Sequence, residues 1–240
     1  MLRRRVANVA AVLVARPCPG AGVPIGSADA ILDNSVQNAH CCRMARPKQF
    51  DRDEALRAGM RVFWQQGFAA TTTDDLAKAM GIGRQSFYDT FGDKRRCYLE
   101  ALRNYSRDDV AAQIAVIRRA PSPLQALRDL MSTATWTEER RAMGCMAINS
   151  LAEFGASDAE IAATLAPTAV LIEQTVVQLL REAKAKGEVA PSLDEQRAAS
   201  AMICTRMGMM VCARAGRSCE SLRAVADFTI DQLVARAQTQ

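Results

Sequence analysis

From residue 51 to residue 235 apolar side chains recur three and four positions apart, the period of a helix with one buried face. Leu56, Met60 and Phe63 mark a helix over 52–66 that Asp51 can cap and Gly67 ends. Thr72 with Asp75 three residues on forms a capping box for a short second helix, whose apolar side is Leu76, Ala77 and Met80. Gly81-Ile82-Gly83 stops it, because glycine accepts the positive φ of a helix C-terminus and Ile82 can drop into the angle between two helices. A third helix, 84–91, buries Phe87 and Phe91, and Asp93 caps a fourth with Tyr98, Leu99 and Leu102 inside. It continues over 107–119 through Val110, Ile114 and Ile117, until Pro121-Ser122-Pro123 breaks the chain and Leu124, Leu127, Leu130, Met131 and Ala134 set the next helical stripe. Residues 138–141 read as a charged loop, and Ile148, Leu151 and Phe154 as a helix behind Gly144. A short helical piece over 158–165, two long amphipathic helices over 167–186 and 194–215, and a last one over 222–235 complete the chain. With no strand pattern, the expectation is an all-α protein: a small helix-turn-helix domain over 44–104 and a larger helical domain over 105–240.

Helix, tight glycine turn, helix is the plan whose second helix enters the DNA major groove. The residues left on the surface of 84–91 suit that task. Arg84 can grip guanine O6 and N7, Gln85 can pair with adenine N6 and N7, and Ser86 can contact either, with Tyr88 and Thr90 beside them. Thr71, Thr72, Tyr88 and Lys94 suit phosphates; a cation at the start of a helix opposes the dipole, and a phosphate would relieve it. Arg46, Lys48 and Arg52 form a basic arm able to follow the backbone or a minor groove. The same pattern also fits a plain helical hairpin with a solvated face.

The longer context is more specific. Gly67-Phe68, Thr71-Thr72, Leu76-Ala77, Gly81-Ile82, Phe87-Tyr88, Phe91 and Lys94 together resemble the N-terminal domain of the TetR family of bacterial transcriptional repressors, closely over roughly 55 residues and only in architecture beyond them. The sequence departs from the family pattern in carrying Asp89 inside the recognition helix and Gly83 at its entrance, which leaves base-by-base roles open.

The resemblance implies a homodimer on a palindromic double-stranded operator, since one recognition helix buries too little DNA and half-sites lie one helical turn, about 34 Å, or multiples of it apart. It places the dimer surface on two late helices, here with Ile172, Val176, Leu179, Leu180, Ala201, Gly208 and Met209 as candidates. It also implies a cavity for a small-molecule effector, for which Met131, Trp136, Cys145, Met146, Phe154, Met202 and Met207 form an apolar, adaptable set. Either set also reads as plain core. Cys145, close to Arg140 and Arg141, is a candidate reactive thiol or simply a buried one.

Composition narrows the rest. The net charge of +5 is concentrated at the N-terminal end: five basic against two acidic residues before Met44, eleven against eight over 44–104, fifteen against sixteen beyond. Eight cysteines without a CxxC pair read as reduced thiols of a cytoplasmic protein. The only histidine, His40, lies in an unusual N-terminal segment, which speaks against histidine-based catalysis and most zinc sites; no metal or cofactor is expected, and a cysteine-based enzyme is a remote rival. A sequence-tolerant DNA-organising protein is the nearer one. Residues 1–43 mix three arginines, a short apolar run and a Pro/Gly-rich stretch, and read as a mis-called start ahead of Met44 or a disordered extension; the apolar run is too short for a membrane span of about 20 residues.

Overall fold

A computed structural model describes residues 50–132, 136–155 and 157–235 of the chain. The readings of residues 1–43, His40, Arg46 and Lys48 lie outside them. Among the described residues the elements are α1 (Arg52–Ala70), α2 (Thr73–Met80), α3 (Arg84–Phe91), α4 (Lys94–Arg119), α5 (Pro123–Met131), α6 (Glu138–Met143), α7 (Met146–Phe154), α8 (Ala159–Ala185), α9 (Glu195–Arg214) and α10 (Cys219–Ala235), with no strand.

Local chemistry sets the boundaries. The Asp51 carboxylate accepts from the Asp53 and Glu54 amides at 2.8 and 3.0 Å, and Gly67, at φ 81°, turns the chain out of the regular helix. The capping box at α2 is complete: Thr72 Oγ1 accepts from Asp75 N at 3.1 Å, and Asp75 Oδ2 accepts from Thr72 N at 3.0 Å. Gly81 takes the left-handed conformation (φ 66°, ψ 29°), after which Ile82 packs against the core.

Two expected breaks are absent. Residues 138–141 form α6, capped by Thr137, whose hydroxyl accepts from Arg140 N at 3.1 Å, where a loop was expected. Helix α8 runs through Pro167 as one 27-residue element instead of two. Ile161, Leu165, Ile172, Val176 and Leu180 fall on one continuous inward stripe, so burial on both sides of the exposed proline holds the axis across the missing amide.

The expected division at 104/105 also falls inside a helix. Helix α4, 26 residues and so about 39 Å long, runs through it. One core follows it, from Phe63, Leu76, Phe87 and Tyr98 at one end to Leu127, Met131, Met146, Leu180 and Met202 at the other.

Candidate nucleic-acid interface and internal cavity

Helix α3 is fixed from beneath by Phe87 and Phe91, 0% and 4% exposed, so its outer face is determined by its inner one. Arg84, Gln85, Tyr88 and Asp89 face solvent, Tyr88 with its ring edge-on to Phe87, while Ser86 and Thr90 are half-buried. Two of the side chains expected to read bases are held by carboxylates. Arg84 Nη2 pairs with Asp74 Oδ2 across the turn, and Gln85 Nε2 donates to Asp89 Oδ1 at 2.9 Å. The Arg84 pair is well exposed and holds its arginine by roughly 0–1 kcal/mol, so a base edge can displace it. Asp74 is a partner that local sequence reading missed, because it lies ten residues away across the turn.

Several expected phosphate contacts have other work. Lys94 Nζ donates to the Phe68 and Thr71 carbonyls at 2.9 and 2.8 Å and lies 4.2 Å from the centre of the Phe68 ring, so it closes the α1–α2 turn. Thr71 is 1% exposed and gives its hydroxyl to the Gly67 carbonyl at 2.6 Å. Thr90 Oγ1 is buried without a partner among the described residues. Thr72 is exposed but spends its hydroxyl on Asp75. Arg52 belongs to α1 and not to an arm: its guanidinium takes both Glu100 oxygens at 2.6 and 2.8 Å and lies 5.1 Å from the Phe91 ring centre. The remaining outward set is Arg84, Gln85, Tyr88 and, at its edge, Ser86, with the first-turn amides of α3 lacking a side-chain cap at Gly83.

Behind the head, formed by α1 to α3 and the start of α4, lies a cavity of about 370 Å³ between α4, α5, α7, α8 and α9. Of the expected effector residues, Met131, Cys145, Met202 and Met207 line it. Trp136 lines a smaller neighbouring space of about 170 Å³. Met146 is core, and Phe154 faces the head, its ring 5.3 Å from Phe68 and 5.6 Å from Tyr98 between centres. Cys145 is buried; of the two arginines near it in sequence, Arg140 pairs with Asp109 and Arg141 donates to the Trp136 carbonyl, while Arg206 lines the same cavity.

Helix α7 connects cavity and head. Ala147, Ile148 and Leu151 line the cavity; from other faces Ser150 shares a 2.6 Å hydrogen bond with Tyr98, and Glu153 accepts from the Phe68 and Ala69 amides at 2.9 and 2.7 Å. Nothing local in the sequence singles out Glu153, because its partners are more than 80 residues away. Beside it Arg95 of α4 pairs with Asp158 at 2.6 Å, holding that carboxyl below its usual range and tying α4 to the start of α8.

The expected dimer residues divide. Val176, Leu179, Leu180 and Met209 are buried within the protomer, and Ile172 and Val176 line the cavity, because the strongest apolar stripe of each late helix is spent on its own core. Ala201 and Gly208 are exposed, and with Cys204 and Val211 they make an outward row of small and apolar residues at heptad spacing on α9. Val170 on α8 is also open, 50% exposed. The most apolar 18-residue stretch of α8 has a mean hydropathy of 1.3 with 28% of it buried, an apolar excess that the protomer leaves uncovered.

Comparison with known proteins agrees with this geometry. Residues 55–101 match the family described as bacterial regulatory proteins, tetR family, and residues 123–228 the tetracyclin repressor-like C-terminal domain. The chain is 32% identical over 201 residues to the HTH-type transcriptional repressor ComR of Escherichia coli K12, covering 82% of this chain and 96% of that one. Among solved structures it is similar to a cysteine mutant of the TetR family regulator CifR complexed with 26 bp double-strand operator DNA (25% identity, TM-score 0.61, 78% of this chain and 99% of that one). In fold it is also similar to a TetR regulatory protein from Rhodobacter sphaeroides (23% identity, TM-score 0.68, 76% and 98%).

Proposed function

Because the chain belongs to the TetR family of bacterial transcriptional regulators, we propose that it is a cytoplasmic, homodimeric repressor that grips a palindromic operator through α3 and releases it when a small molecule enters the cavity. The observation that carries this reading is the continuity of parts: a solvent-facing α3 with Arg84 and Gln85, and a 370 Å³ cavity, share α4 and α7. An occupant that displaces Ala147, Ile148 or Leu151 moves Ser150 and Glu153 with them, and with these the turn after α1. Operator-bound CifR and the repressor ComR support the DNA-binding and repressing roles, and relatives named as regulators favour a non-enzymatic one.

Dimerisation rests on Gly208. It sits in mid-helix, where glycine costs about 1 kcal/mol against alanine, and a Cβ built there meets no atom within 4 Å, so no neighbour in the protomer requires its smallness. A helix of a second copy, approaching along Ala201, Cys204, Gly208 and Val211, does.

The test is affinity for DNA from upstream of the gene against shuffled DNA at one fixed salt concentration, followed by a screen for small molecules that release the protein. A preference of about a thousandfold or more marks a specific regulator. Near-equal affinity for both would sink the operator reading in favour of a sequence-tolerant DNA-organising protein.

A further inference from the structure

The cavity contains an electrostatic imbalance. Both oxygens of Asp109 are engaged, Oδ1 by Arg140 and Oδ2 by Gln113 Nε2 at 2.8 Å. Arg206 stands in the wall shared by the large cavity and the small one beside it; its Nε donates to the Leu130 carbonyl at 3.0 Å, and no carboxylate lies within ion-pair distance of it among the described residues. Asp109 is therefore paired with Arg140, and Arg206 has no ion-pair partner among the described residues. Burial pushes the Arg206 pKa below the ordinary guanidinium value, the sign of a cation held in a poorly solvated place. Across the cavity, on α4, the Ser106 hydroxyl and Gln113 Oε1 are buried without partners among the described residues, although protein interiors seldom leave such atoms unpaired.

These three groups define a ligand. A planar guanidinium fork fits a carboxylate, the Ser106 hydroxyl can donate to it, and Gln113 Oε1 can accept from a hydroxyl or N–H beside the acid. At the Arg206 end of the cavity one surplus positive charge matches one negative charge, which argues against a doubly charged phosphate ester next to Asp109. The second acidic lining residue, Glu173, accepts from Gln196 at 2.5 Å, and Gln196 lies ten residues, about 15 Å, from Arg206 along α9. An anion is therefore drawn to the Arg206 end.

We propose that the cavity is a site for a monovalent organic acid, its carboxylate paired with Arg206 and hydrogen-bonded by Ser106, its apolar body lying against Met131, Met202 and Met210. This deepens the reading of the cavity as an effector site and rests on it. The volume, about twelve waters' worth, accommodates a medium-chain or aryl-alkyl acid.

The test is calorimetric titration of the whole protein with octanoate and 3-phenylpropanoate, each against its neutral amide. Each acid should bind at least tenfold more tightly than its amide; Arg206→Gln should erase the contrast and Arg206→Lys should keep part of it, with circular-dichroism melts checking that both variants fold. Equal binding of acid and amide by the unaltered protein, or no binding of either acid, overturns the proposal without recourse to any variant. Operator release is read separately by fluorescence anisotropy. Acids that bind through Arg206 without releasing DNA support the acid site while sinking the effector reading, and release by the amides alone supports an effector cavity while sinking the acid site.

Discussion

In the head formed by α1 to α3 and the start of α4 most of the polar groups described above are engaged, partly by Ser150 and Glu153 of α7, whereas the body around the cavity leaves several open. In the head Lys94, Thr71, Arg52, Arg84 and Gln85 all have partners within the protomer, and Phe63, Phe87 and Tyr98 fill the space beneath them. In the body, among the described residues, Arg206 lacks a carboxylate, the Ser106 hydroxyl and Gln113 Oε1 lack a partner, and an apolar row on α9 faces solvent. On the function proposed above, the head's polar groups serve its own rigidity, and the body's open ones await a second copy or a ligand. A substitution in the head should therefore register first as stability, and one on the body's open features first as assembly or response.

The strongest way to break this contrast is Phe87→Ala. Removing a fully buried ring beneath α3 should cost about 3–5 kcal/mol, read by urea denaturation, and abolish operator binding because the reading face loses its support. A variant that melts normally yet fails on DNA would mean that the head is held by something other than its core. The counterpart in the body is Val211→Glu, on a side chain 55% exposed in the protomer. Its folding stability should change by less than about 0.5 kcal/mol. Sedimentation should show monomers, however, and operator affinity should fall about a hundredfold or more, roughly 2.7 kcal/mol, as one half-site contact is lost. A dimer that survives the charge would move the interface off this row.

These two regions also differ in how well the sequence reveals them. The head's boundaries were legible because each rests on a local signal: Asp51, Thr72 with Asp75, Gly81 and Asp93 all cap or end helices where the spacing predicts. What the signals could not show was the use of each polar side chain. Lys94 at the start of α4 looks like a phosphate ligand until its ammonium is seen on two carbonyls more than 20 residues earlier. In the body the limitation is different, since an apolar stripe states that a face is buried and not by what. Val176, Leu179, Leu180 and Met209 have the periodicity of an interface and are spent on the core, while Ala201 and Gly208, weaker in hydrophobicity, are the exposed ones. Arg206 carried no sequence signal, because its meaning depends on Asp109 being occupied by Arg140 and Gln113.

A smaller effect sharpens the distinction within the head itself, between residues that read and residues that brace. Arg84→Ala should leave stability within about 0.5 kcal/mol, because its pair with Asp74 is exposed, yet relax operator discrimination by about 1–3 kcal/mol. Lys94→Ala should do the reverse, costing about 1–2 kcal/mol of stability through two uncovered carbonyls while leaving the ranking of DNA sequences unchanged. If Lys94→Ala lowered affinity for all DNA and flattened the salt dependence by about one unit with no change in melting, its ammonium would be a phosphate contact after all.

The smallest expected effect is that of acid, and it tests whether the head's caps contribute to stability in their own right. Hydrogen bonds from the Thr72 side chain, and then from its backbone, hold Asp75 below the ordinary 3.8. The Arg95 guanidinium does the same for Asp158, which joins the head's long helix to α8. A carboxyl with a depressed folded-state pKa contributes stability that is fully present above its unfolded value and lost as pH falls through the folded one. The melting temperature should accordingly hold from pH 7 to about 5 and then decline toward pH 2.5 as both groups protonate. Asp75→Asn retains an oxygen that can accept from Thr72 but cannot titrate, so it should melt slightly lower at neutral pH and decline less on acidification. Asp158→Asn should shallow the decline in the same way, by loosening the head from α8. An acid decline unchanged in the double variant would place the titrating stability elsewhere and reduce the Thr72–Asp75 box to a geometric convenience of the helix start.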